Sequence, residues 1–190
     1  MITLVTGGTG YLGRRVVRQL AAEGARVRCL VRPASSTGDL EAFVGPDGWR
    51  NVEVVRGDLS RPATFAAALR NVDVVFHMAA GMSGGAASVF LNSVVATRYF
   101  AAACGEAKVG RFILVSSLGV YAACKKGSTL DETCAIEREP HRRDPYTFAK
   151  LVQERACQTI AAKYAMPLVI LRPGVIVGPG RGALSTRVGI

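Results

Sequence analysis

Three features of the sequence predict an α/β fold built on a doubly wound parallel sheet with helices on both faces. Short apolar runs alternate with helical patterns along the whole chain. The runs are continuous in Val, Ile and Leu rather than alternating, as strands buried on both faces must be. A glycine-rich turn joins the first run to the first helix. The 190 residues suit one domain of roughly 100–200 residues, so 1–190 is read as a single domain.

Strands are expected at Ile2–Thr6, Arg26–Val31, Val52–Arg56, Val72–Met78, Arg111–Ser116 and Leu168–Arg172. The first helix, Tyr11–Glu23, ends at Gly24, a residue suited to a helix C-terminus. Ser60 is positioned to cap a helix that carries Pro62 in its first turn. Two longer helices are expected near 88–107 and 145–164. Two long loops remain, Pro33–Asn51 and Leu118–Asp144, and loops of that length are usually functional.

Thr6-Gly7-Gly8-Thr9-Gly10-Tyr11-Leu12-Gly13 closes the first strand and opens the first helix. Gly7 permits the tight bend, Gly10 lets backbone approach a pyrophosphate, and Gly13 lets helix and strand pack closely. The helix N-terminus adds amide donors and the positive end of its dipole. Gly7, Gly10, Tyr11, Leu12 and Gly13 are therefore candidate contacts to a dinucleotide, and the fold is read as Rossmann-type. The second strand ends at Arg32, where an NAD site would place a carboxylate. A guanidinium suits a 2′-phosphate, so NADP(H) is preferred over NAD(H). In the competing arrangement Arg32 is solvated and Asp39 reaches the ribose. Asp58, followed by Leu59, ends the third strand. It is placed either to accept from the adenine amino group or to favour a helix N-terminus.

Six motifs then occur in order: the glycine cradle, Gly57-Asp58-Leu59, His77-Met78-Ala79-Ala80, Val115 to Tyr121, Tyr146-x-x-x-Lys150, and Leu171-Arg172-Pro173-Gly174. Together they resemble the extended short-chain dehydrogenases, the NAD-dependent epimerase/dehydratase family. The resemblance implies that Ala79 and Ala80 line the adenosine side and that Pro173 lies near the nicotinamide. It also implies a homodimer through the helices near 88–107 and 145–164. The serine that lies four residues before the tyrosine matching Tyr121 is Ser117, with Ser116 as runner-up.

The chemistry is coherent on its own terms. Oxidising an alcohol needs a base for the hydroxyl proton while hydride leaves carbon, and reducing a ketone needs the matching acid. A free tyrosine titrates near ~10, and a nearby ammonium brings that down. Tyr146 and Lys150 are four apart on one predicted helix face. Ser117, at the end of the fifth strand, is placed to hold the substrate oxygen, where ligands sit in such sheets. Ser117, Tyr146 and Lys150 are thus the candidate catalytic set of an oxidoreductase or epimerase moving hydride between a nicotinamide and a secondary alcohol or ketone, a nucleotide sugar among the compatible substrates, with Lys150 also placed to reach the nicotinamide ribose. Tyr121 is placed either to line the substrate pocket or to pack its loop.

The chain departs from the family pattern in three places. Aligned on Thr97, Ser93 stands where the family's Asn is usual, so an Asn–water link to the active site is not expected. Leu118-Gly119 follows Ser117 where the 4,6-dehydratase branch has Asp-Glu, which disfavours that elimination chemistry. The family's C-terminal region supplies most of the substrate pocket, and here that domain is read as absent or vestigial. A non-catalytic NADP(H) sensor or an inactive cofactor fragment is the alternative this raises.

Composition narrows the partners. The net charge of +10 favours anionic ligands, but the basic residues are scattered and lack the interleaved aromatics of a single-strand platform. A small-molecule substrate, and not nucleic acid, is expected. No run of about 20 apolar residues suggests a span, and no leader precedes the first motif, so a cytoplasmic protein without membrane association is expected. The five cysteines and two histidines show no metal-ligand spacing; reduced thiols are expected, with Cys124 and Cys134 close enough in sequence for one loop pairing.

Overall fold

A computed structural model describes residues 1–81, 84–123, 127 and 129–180. Six strands, β1 (Ile2–Thr6), β2 (Arg26–Val31), β3 (Val52–Arg56), β4 (Val74–His77), β5 (Arg111–Val115) and β6 (Leu168–Leu171), form one sheet. Their order is β3-β2-β1-β4-β5-β6 and every pairing is parallel. The order reverses between β1 and β4, which makes the carboxyl ends of those two strands the crevice where a ligand sits.

Alternate residues of each strand face opposite layers. Leu4, Leu30, Val75, Phe112 and Leu114 pack with Phe65, Ala68, Phe100, Cys104 and Cys157. Val5, Val27, Cys29, Val31 and Phe76 pack on the other face with Val17, Ala21, Leu40, Val44 and Trp49. The first layer is built from two 3-10 turns (Pro62–Thr64 and Ala66–Leu69) with helices α5 (Ala96–Glu106) and α6 (Pro145–Tyr164). The second is built from α1 (Tyr11–Ala22), α2 (Gly38–Val44) and α3 (Pro46–Trp49).

Each strand lies where the apolar runs predict it, with β4, β5 and β6 ending one residue short of the expected bounds and β4 starting two residues late. α1 stops where Gly24 takes φ +78° and its amide, with that of Ala25, closes on the carbonyls of Ala21 and Leu20. Three expectations are corrected. The Pro33–Asn51 loop contains α2, which buries Leu40 and Val44 and so acquires a helical face from packing, and α3, whose Trp49 packs partly buried against the same cluster. Asp39 consequently stands in the first turn of α2 and not in a loop. Ser60 caps no helix: its hydroxyl and amide both donate to Asp58, and only 3-10 turns follow.

The third correction concerns the helix near 88–107. It runs as α4 (Ala86–Phe90), a π-helical turn (Leu91–Val95) and α5. By length and composition alone, Ala86–Glu106 is long and apolar enough to cross a membrane, contrary to the expectation that no segment is. Val94, Phe100, Ala101 and Cys104 account for much of that apolar character, and all are buried inside the protein.

Candidate active site

The cradle is shaped by close backbone approach. Gly7 has φ +72°, and a Cβ there would come within 2.8 Å of the Ala79 amide nitrogen. A Cβ on Gly13 would strike the Gly7 carbonyl, so residues 7 and 13 both need to be glycine. At Gly10 an added Cβ would meet only the Gly7 carbonyl oxygen, 3.2 Å away, leaving its outer side open. The Gly10 amide donates to that same oxygen at 3.0 Å. α1 then begins with no capping side chain and no acidic residue in its first turn. An anion is the group such an end accepts. The turn therefore fits a dinucleotide pyrophosphate, with Gly7, Gly10, Tyr11, Leu12 and Gly13 around it. Ala79 and Ala80 follow β4 across the switch point, half-buried, with the Ala79 amide donating to Thr6 Oγ1 at 3.3 Å.

Arg32 is exposed at the end of β2. Arg56 fastens the turn that follows it, donating to the carbonyls of Pro33 and Ser35 at 2.8 and 2.9 Å. Asp58 accepts from the Ser60 hydroxyl at 2.7 Å and the Ser60 amide at 2.9 Å. Those bonds, with the charges of Arg61 and Arg32, hold its carboxyl below the ordinary aspartate range. Leu59 packs at the margin of the core beside it.

The catalytic candidates converge at the carboxyl end of β5. Asp144 caps α6, accepting from the amides of Tyr146 and Thr147 at 3.1 and 3.2 Å, with Pro145 in the first turn. Tyr146 is thereby fixed in that turn, half-buried. Lys150 is 3% exposed, and its Nζ donates to the Val115 carbonyl at 2.8 Å and to Gln153 Oε1 at 3.0 Å. The ammonium lies 5.8 Å from the centre of the Tyr146 ring. Burial pushes the lysine pKa down to about 8, with the charges of Cys157 and Glu154 opposing. Ser117, half-buried, stands two residues beyond Val115, its Oγ accepting from the Gly119 amide at 3.2 Å. Ser116 is 3% exposed and its Oγ has no hydrogen-bond partner among the described residues. Pro173 is tied to the same corner, its carbonyl accepting from the Leu118 amide at 2.9 Å.

The long loop after β5 is stapled to this corner. Arg143 donates to the carbonyls of Tyr121 and Gly119 and pairs with Glu137 at 3.2 Å. Arg172 forms a two-point pair with Glu154 at 3.1 and 2.9 Å and donates to the Tyr121 hydroxyl at 3.0 Å. Tyr121 is 6% exposed and packs with Val120, Leu151 and Ile136. Cys29, Cys104 and Cys157 are buried free thiols and Cys134 is also free; Cys124 lies outside the described residues. Among the described residues no His, Cys, Asp or Glu cluster suits a metal.

The sequence patterns single out Tyr146, Lys150 and Ser117 but not Gln153, Thr97 or Thr6. His77, Thr97, Gln153 and Thr6 are all at most 1% exposed and hydrogen-bonded in series. A glutamine three residues after Lys150, on the same helix face, is the signal that points to them.

The model of the NAD dependent epimerase/dehydratase family matches residues 3–188. Sterol demethylase protein B of Methylococcus capsulatus is 32% identical over 94% of this chain and 52% of its own length. The 2-alkyl-3-oxoalkanoate reductase of Shewanella oneidensis is 30% identical over 97% of this chain and 47% of its own. Among solved structures, a UDP-glucuronic acid 4-epimerase from Bacillus cereus in complex with NAD superposes with a TM-score of 0.79. It is 25% identical, over 95% of this chain and 59% of that one. The chain spans about half the length of the curated relatives it matches. On these grounds the chain belongs to the NAD dependent epimerase/dehydratase family, the extended type of short-chain dehydrogenase.

Proposed function

We propose that the chain binds a nicotinamide dinucleotide across the β1–β4 switch point and carries the groups that move hydride between it and a secondary alcohol or ketone. The bound cofactor supplies or accepts the hydride. Tyr146 exchanges the proton at the substrate oxygen, Ser117 holds that oxygen, and the Lys150 ammonium stabilises the phenolate. The observation that carries this reading is Lys150 itself. It is a buried cation whose Nζ is anchored on the Val115 carbonyl at 2.8 Å, beside the Tyr146 ring and one strand-end away from Ser117. A sensor without catalysis has no use for such an arrangement.

NADP(H) is the proposed cofactor form. The exposed Arg32 guanidinium at the end of β2 suits a 2′-phosphate, and no carboxylate ends that strand. Asp58 and Leu59, with Ala79 and Ala80, form the adenosine side in this reading, and Pro173 the nicotinamide side. Carbonyl reduction of a small molecule is the favoured direction. The Shewanella relative is named a reductase of 2-alkyl-3-oxoalkanoates, and Leu118-Gly119 offers no carboxylates for elimination. A nucleotide-sugar epimerase is the second reading, favoured by the likeness to the Bacillus cereus structure. A homodimer through α5 and α6 and a cytoplasmic location belong to the same reading.

The test is oxidation of NADPH in the presence of a panel of 3-oxoacyl and aryl ketones. Tyr146→Phe is expected to lower turnover by ~10²-fold or more, the scale of a lost general acid, while leaving NADPH binding nearly unchanged. A Tyr146→Phe protein with full turnover would remove the mechanism.

A further inference from the structure

A continuous run of buried side chains leads from Lys150 back to the glycine cradle. Lys150 Nζ and Gln153 Oε1 are 3.0 Å apart. Gln153 Nε2 lies 3.2 Å from the Ser93 carbonyl and 2.7 Å from Thr97 Oγ1. Thr97 Oγ1 lies 2.7 Å from His77 Nε2, and His77 Nδ1 lies 2.8 Å from Thr6 Oγ1. Thr6 directly precedes Gly7. None of the five side chains belongs to a residue more than 3% exposed.

Elementary donor–acceptor accounting fixes the direction of the bonds at the lysine end. An ammonium only donates, so Gln153 turns its carbonyl oxygen to Lys150 and its NH₂ to Ser93 and Thr97. Thr97 accepts from that NH₂, and its own proton then has His77 Nε2, 2.7 Å away, as an acceptor. Burial, and secondarily the Lys150 charge, keep the His77 ring neutral at physiological pH. A neutral ring that accepts at Nε2 carries its proton on Nδ1 and donates it to Thr6. With Thr97 as the donor, the whole series points one way, from the lysine to the cradle.

We propose that Gln153 is a positioning residue that holds the Lys150 ammonium beside Tyr146 and, through Thr97, sets the tautomer of His77 and so the hydrogen bond reaching Thr6 at the cradle. Ser93 stands where the family's asparagine is usual, and its carbonyl is taken by the Gln153 amide, so a side chain spans this gap. A primary amide neither gains nor loses a proton near neutral pH, so the series orients Lys150 and delivers no protons to it. The groups that share the space are Glu154 and Cys157 on α6 and His77 on β4, and none supplies a second acceptor as close to Nζ as Val115 and Gln153. The positioning role rests on the reading of Lys150 as the catalytic lysine; the direction of the bonds does not.

The test uses the full chain without cofactor. His77 is one of two histidines, and substituting the exposed His141 by Gln assigns its resonances. Nitrogen-15 correlation spectra are expected to show His77 protonated at Nδ1. In Gln153→Glu the carboxylate only accepts, Thr97 donates to it, and His77 is expected to switch to the Nε2–H form. Carbon-13 spectra of Lys150 are expected to show its titration, near 8 in the wild type, moving up in Gln153→Glu and down in Gln153→Met. A folded Gln153→Glu protein that keeps both the wild-type tautomer and the wild-type lysine titration overturns the proposal. If Gln153→Glu does not fold, an unmoved lysine titration in Gln153→Met overturns it alone. Failure here leaves Tyr146 and Lys150 in their proposed roles. A fully active Tyr146→Phe would instead remove those roles and leave the bond series standing.

Discussion

At the scale of single residues, the site is a balance between burial and charge. Lys150 must be an ammonium to stabilise a phenolate, yet burial lowers its pKa to about 8. The Val115 carbonyl and Gln153 Oε1 compensate in part, as charge-assisted acceptors do. His77 shows the opposite outcome: with no anion to pair with, burial lowers its pKa to about 3 and it stays neutral. That depression has a pH consequence whose sign is fixed. The unfolded chain protonates His77 below about 6.5 while the folded chain does not, so stability from this group is full above that pH. It is lost as pH falls from about 6.5 towards 3, by a few kcal/mol in all. Urea denaturation is expected to show a steeper loss of stability between pH 6 and 4 in the wild type than in His77→Asn. Parallel pH profiles would contradict it. Tyr146, Lys150 and Ser117 were legible because the motif spacing announces them. Gln153 and Thr97 were not, because their meaning lies in contacts across α5, α6 and β4, of which the sequence shows only that Gln153 shares a helix face with Lys150.

At the scale of elements, local signals and packing divide the work. The strands and α6 were legible from apolar runs and helical period, and α1 from its glycine boundaries. α2 and α3 were not, since Gly38, Gly45, Pro46 and Gly48 read as loop, while α2 draws its helicity from burying Leu40 and Val44 on the sheet and α3 packs only Trp49 beside them. Ser60 misled because a hydroxyl near Pro62 looks like a cap, while Asp58 engages it first. The cap that matters to the site is Asp144, which holds the amides of Tyr146 and Thr147 and the Thr147 hydroxyl at 2.7 Å. Asp144→Ala is expected to cost about 1 kcal/mol of stability, the usual worth of such a cap. Because Tyr146 sits in that first turn, turnover is expected to fall further than the stability loss explains. Thermal melts paired with kinetics well below the melting point separate the two effects, and a variant with normal turnover would show that the cap does not position Tyr146.

At the scale of the whole molecule, the strand order makes one crevice, and the candidate residues lie at the strand and helix ends around it. β1 and β4 diverge there, the cradle lies on one side, and the ends of β5 and β6 bring Ser117 and Pro173 to the other. The Glu154–Arg172 pair, with Glu154 only 4% exposed, ties α6 to the strand-end turn that carries Pro173. The layer of α1, α2 and α3 does not extend over β6, where Val169 and Leu171 are 37% and 44% exposed. The central claim, a nicotinamide dinucleotide seated between the Gly7–Gly13 turn and Lys150, is tested most directly by calorimetric titration of the chain with NADPH and, separately, NADH. The account predicts saturable one-site binding of both, tighter for NADPH, and loss of binding in Gly13→Val, whose side chain would collide with the Gly7 carbonyl. Binding of neither nucleotide, or binding undiminished in Gly13→Val, would contradict it.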